Sequence, residues 1–184
     1  FTTLQMTTSI TPTANAVISL GGASSYFGNV YAIGLVGGGT IYGNWTLSNG
    51  SKLNATYADL AERFHADAVY PPGTVVELGG ANEITKVVEE LSETVFGVIS
   101  TNAAYLMNSG AGTDLTHPPV AMSGRVPVRV IGIISKGDRL VSAGNGLARA
   151  GKQQELTSFN VIGRALMSKE DAGEGVIEAI VKIN

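Results

Sequence analysis

Gly146-Leu147-Ala148-Arg149-Ala150-Gly151-Lys152-Gln153 has the G-x-x-x-x-G-K spacing with which a phosphate-binding loop offers backbone amides and a lysine to an anion. Gln153 stands where Ser or Thr would hold magnesium, and no apolar strand ending in Asp supplies a second ligand, so the stretch is expected to be a β-hairpin. His65 and His117, the only imidazoles, lie in different segments with no further ligand at metal-binding spacing. Asp59 and Glu62 have the composition of an acid/base pair. Beside Arg63, with Arg125 downstream, they read instead as turn-capping or ion-pairing carboxylates. Ser100, Ser123 and Ser135-Lys136 are candidate nucleophiles, but none has a base at a recognisable distance. Lys136-Gly137-Asp138 has the look of an adhesion tripeptide and, between two strands, is expected to be a tight turn. These residues predict no catalytic residue, no cofactor site and no metal site, and a protein that is not an enzyme.

Any such residues must be positioned by a β scaffold. With 184 residues, 44% of them hydrophobic and 15% charged, the chain can bury one sizeable core. Its 24 glycines show no three-residue period, which excludes a collagen helix and favours turn-rich β structure. Strands are predicted at Thr74–Leu78, Ile84–Val88, Val95–Ser100, Val120–Met122, Val126–Ile134, Arg139–Ser142, Gly146–Arg149, Asn160–Met167 and Gly175–Ile183. Pro71-Pro72-Gly73 launches the first of these and Gly79-Gly80 turns it. A short helix fits Glu89–Thr94, an exposed loop fits 103–119, and Tyr57–Phe64 fits a helical turn or an irregular strand. Short strands so spaced imply an antiparallel barrel or sandwich over 57–184.

Residues 1–56 differ, Lys52 being their only ionisable side chain. Their β-type runs, Val17–Leu20, Val30–Val36, Thr40–Tyr42 and Trp45–Leu47, each offer a few apolar side chains per face, too few to close a core alone. Identical chains wound about one axis would bury them. The expectation is an intertwined β shaft, with Val30, Ile33, Leu35, Ile41, Trp45, Leu47, Tyr57, Leu60 and Phe64 at the interface between copies.

A net charge of −3, with basic residues scattered singly from Lys52 to Lys182, predicts no cationic stripe and no nucleic-acid binding. No apolar run reaches the roughly 18 to 20 residues that insert across a bilayer. The absence of cysteine removes disulfides and thiolate chemistry. A start at Phe1 without a charged and then apolar leader reads as a fragment, a processed product or the ordered part of a longer chain.

The junction Tyr57-Ala58-Asp59-Leu60-Ala61-Glu62-Arg63-Phe64, followed by Tyr70-Pro71-Pro72-Gly73-Thr74-Val75-Val76, resembles the C-terminal regions of bacteriophage tail fibres, tailspikes and related virion appendages. Val98–Met107, Ser123–Val128 and Lys136–Val141 continue the likeness, and Leu20–Ala32 resembles the repeats that precede such domains. The resemblance implies a homotrimeric structural protein of the virion. Its implied partners are itself, other virion proteins and a host-surface receptor or glycan, for which Tyr42 and Trp45 are candidate stacking faces. Two alternatives share the resemblance: a capsid decoration or head-fibre protein, on the ending Val161–Leu166 and Gly173–Val181, and a self-cleaving trimerisation chaperone. In a virion protein the glycosylation-type triplets Asn44-Trp45-Thr46, Asn49-Gly50-Ser51 and Asn54-Ala55-Thr56 are coincidental.

Overall fold

Val126, Val128 and Val130 alternate with Arg125, Pro127 and Arg129, and that period of two puts three valines on one buried face of a strand. Burying each contributes about 1.5 to 2 kcal/mol. The computed structural model describes residues 46–182, together with Ser24 and Asn44. The chain divides into two units, Phe1–Gly50 and Ser51–Asn184, and the described strands all lie in the second.

Among the described residues ten strands form one sheet: β1 (Asp59–Arg63), β2 (Val75–Leu78), β3 (Ile84–Lys86), β4 (Val95–Ile99), β5 (Tyr105–Met107), β6 (Pro119–Ile131), β7 (Arg139–Gly144), β8 (Leu147–Ala150), β9 (Val161–Ala165) and β10 (Glu174–Lys182). The order is β10-β9-β7-β8-β6-β4-β2-β3. Because β6 also pairs with β10, the five strands β6, β10, β9, β7 and β8 close on themselves, the barrel expected from the strand spacing. Pairings are antiparallel except β1 with β5 and β6 with β8. One core cluster, with Val75, Val98, Val128, Leu140, Ile162 and Ile177, fills this ring. A second, with Ala66, Val76, Ile84, Ile99 and Val120, lies under β2 and β3.

The 13-residue β6 organises the rest and runs unbroken through Ser123-Gly124-Arg125, where the composition predicts a break between two strands. Gly124 keeps the strand continuous at φ +110, with its missing side chain leaving room for the carbonyl of Ala58, just before β1. The ambiguous 57–64 segment is strand β1, held between β5 and β6. The expected helix at Glu89–Thr94 is instead a turn. Leu91 takes φ 57, and the buried Ser142 pins the turn, accepting from the Ser92 amide at 2.8 Å and donating to the Glu89 carbonyl at 3.0 Å. The expected loop at 103–119 contains β5. Gly146–Arg149 lies in the β7–β8 hairpin turned by Asn145 and Gly146, both at positive φ, so its amides are committed to a ladder and do not cradle an anion. Lys136-Gly137 is the predicted tight turn, closed by the Asp138 amide on the Ser135 carbonyl at 3.0 Å. No helix among the described residues is long and apolar enough to cross a membrane.

Candidate functional site

Strand β1 carries Asp59 inward while Leu60 points out, and the Asp59 carboxyl is only 4% exposed. Ser100 follows β4, its amide donating to the Pro119 carbonyl at 2.8 Å, and its side chain is equally buried. Both open onto a pocket of about 260 Å³ lined also by Tyr57, Asn102, Arg125 and Glu178. Neither Asp59 Oδ2 nor Ser100 Oγ has a hydrogen-bond partner. Burial pushes the Asp59 carboxyl above its ordinary value; the nearby Ser100 hydroxyl and the residue's own backbone oppose this without a well-formed bond, so burial prevails. A buried carboxyl oxygen without a partner beside an unpaired hydroxyl departs from the rule that interior polar groups are satisfied, and such departures concentrate at functional sites. The pocket contains no histidine, so Ser100 has an acid beside it and no imidazole base.

The ion pairs expected of β1 form differently. Arg63 bonds Asp114 at 2.7 Å and the His117 carbonyl at 2.7 Å, whereas Arg125 takes no carboxylate partner among the described residues. The two histidines meet. The chain after β1 runs against the chain before β6, the Ala66 amide donating to the Thr116 carbonyl at 3.0 Å, and the His65 and His117 rings stack with centroids 4.6 Å apart and planes 8° apart. Nothing in the sequence spacing announces this contact, because it depends on the pairing of two irregular segments. No group of three metal-binding side chains occurs among the described residues. Ser123 lies on β6 opposite Leu60, and Ser135 donates its amide to Asp138 Oδ2 at 2.8 Å.

Of the expected interface residues, Val30, Ile33, Leu35, Ile41 and Trp45 lie outside the described residues. Leu47, Tyr57 and Leu60 are exposed. Leu60 is paired across strands with Tyr105, also exposed, so two large apolar side chains share the outer face of β1 and β5. Phe64 is half-buried and packs within the chain, edge-to-face on Phe96 at 4.9 Å.

Arg63, Arg129, Arg149, Lys152 and Lys169 are ion-paired. Of the remaining seven lysines and arginines, Lys136, Arg139, Arg164 and Lys182 border one groove, while Arg125 lines the pocket that holds Asp59 and Glu178. Strand register brings those four together, and register is not visible in a list of residues.

No protein-family model and no curated protein matches the chain. Among solved structures, the pre-mature bacteriophage phi29 gene product 12 shares the fold, with a TM-score of 0.54 at 18% identity over 76% of this chain. The match spans 24% of that protein's length. The phi29 gene product 12 C-terminal fragment (TM-score 0.48, 19% identity, 67% of this chain and 100% of that one) and the phi29 head fiber gp8.5 N base (TM-score 0.42, 14% identity, 67% and 93%) lie further off. What this chain has in common with gene product 12 is a β architecture.

Proposed function

We propose that the chain is a non-enzymatic structural protein of a bacteriophage virion, a homotrimeric fibre or appendage whose terminal part is the β barrel of 57–184. The observation that carries this reading is the outward pair Leu60 on β1 and Tyr105 on β5, with Tyr57 exposed just before β1. Side chains of this size on one sheet face bury favourably against a second copy of the same chain. The shared fold with part of phi29 gene product 12 supports the virion assignment. In this reading threefold association makes a stiff projection, and weak contacts repeated in three copies add by avidity to hold the particle to its host.

The test is detection of the chain in purified particles by mass spectrometry, with gold-labelled antibody to the barrel. Label on a projecting tail or fibre supports the reading, label on the shell favours a head-fibre protein, and absence from particles removes the virion role.

A further inference from the structure

Asp59 and Ser100 form the buried floor of the pocket of about 260 Å³, and neither Asp59 Oδ2 nor Ser100 Oγ has a hydrogen-bond partner within the chain. The rim is polar as well. Arg125 of β6 and Glu178 of β10 line it without forming an ion pair, and Asn102 adds an exposed amide. A buried polar group costs free energy unless something hydrogen-bonds it. Two such atoms close together at the bottom of an open pocket therefore point to a ligand that supplies the missing partners.

The lining narrows the chemistry of that ligand. A cation would meet the Arg125 guanidinium, and an anion would meet the carboxyl groups of Asp59 and Glu178. A neutral hydroxyl suits both signs, since it donates to a carboxylate and accepts from a guanidinium, a serine or an amide. Neighbouring hydroxyls on one rigid ring can serve Asp59 Oδ2 and Ser100 Oγ together. The pocket is smaller than the roughly 300 to 1,000 Å³ of sites for drug-sized molecules, which limits the occupant to about one ring. Tyr57 lines the same pocket and is 55% exposed, offering an apolar ring face with a polar tip against which the C–H face of a sugar packs. We propose that this pocket binds one neutral hexose ring. Asp59 faces the opposite side of β1 from Leu60, so the site does not use the Leu60–Tyr105 face, and all of its residues come from one chain. The site therefore extends beyond the appendage reading, and binding of a free sugar is measured on the chain whatever its oligomeric state.

The experiment is saturation-transfer difference NMR of the full chain with glucose, galactose and mannose, each set against its uronate and its amino sugar. Alanine and calcium chloride serve as competitors, one a zwitterion and the other a hard cation. At least one of the three hexoses is expected to bind with a Kd of about 1 mM or tighter. Its uronate and its amino sugar should each bind at least about fivefold more weakly, the first repelled by two carboxyl groups and the second by Arg125. Asp59→Asn and Glu178→Gln should each weaken the neutral sugar at least about fivefold, because each removes a charged acceptor. Lys86→Ala, a cation elsewhere bonded to Asn145, should leave binding unchanged. Circular dichroism checks that each variant is folded, and the two pocket variants lie on β1 and β10, so loss of one does not remove the test. Four results would each overturn the assignment: no binding of any of the three hexoses at about 20 mM, a charged sugar binding as tightly as its neutral form, unchanged affinity in both pocket variants, or displacement of the hexose by alanine or calcium at equal concentration. Displacement by calcium would give the unpaired oxygens to a cation, and displacement by alanine would give the pocket to a zwitterion.

Discussion

Asp59 Oδ2 and Ser100 Oγ face one pocket, one from β1 and the other from the end of β4, both buried and both without a hydrogen-bond partner. An unsatisfied buried polar group costs about 1 to 3 kcal/mol. The domain therefore tolerates a local loss at β1, the first of its described strands.

The first prediction follows from the raised Asp59 value. Between the ordinary aspartate value of 3.8 and the raised one, the folded protein binds more protons than the unfolded chain, so stability falls as pH rises through that window. Asp59→Asn has no charge to desolvate. It should gain about 1 kcal/mol over wild type at pH 7, with the advantage shrinking below the ordinary aspartate value. Urea unfolding at both pH values measures this; a loss of stability at pH 7 would mean that the carboxylate has a favourable partner.

Stacking of His65 on His117 ties the 108–117 segment to the chain after β1. His117→Ala should remove about 0.5 to 1.5 kcal/mol of local stability. Faster hydrogen exchange at the Ala66 amide, which donates to Thr116, is the expected sign, with the β6 core unchanged. Unaltered exchange at Ala66 would show that the Arg63–Asp114 pair alone holds the segment.

Gly124 combines a positive φ with close approach to the Ala58 carbonyl, so Gly124→Ala meets both backbone strain and a clash. A loss of about 2 kcal/mol or more is expected in thermal unfolding, together with weaker docking of β1. Gly132 has a similar φ but open space around it, so Gly132→Ala should cost less. Equal costs at the two positions would show that φ alone governs both.

Most of the barrel was legible in the sequence because its strands alternate or bunch β-branched residues between glycine turns. Val95–Ile99, Arg139–Gly144 and Glu174–Lys182 lie within a residue or two of their expected bounds. The continuity of β6 was hidden because Ser123-Gly124-Arg125 has the composition of a turn, and only the approach of β1 explains a glycine there. Tyr105-Leu106-Met107 was missed for want of alternation, its strand being set by parallel pairing with β1. The candidate sites were less legible still. Asp59 reads from sequence as a turn-capping or ion-pairing carboxylate, and its burial depends on which way β1 faces. The Arg139–Arg164 cross-strand pair and the histidine stack exist only through long-range pairing of segments, a property that local composition does not encode.

The central claim is threefold self-association through apolar side chains that the single chain leaves exposed, and native mass spectrometry of the full chain tests it most directly. The account predicts one species at three times the single-chain mass. Replacing the paired outer residues, Leu60→Asp with Tyr105→Asp, should shift it toward the single-chain mass while circular dichroism still reports a folded β domain, because neither side chain is in the core. A wild-type chain that stays at the single-chain mass at micromolar concentration would contradict the account.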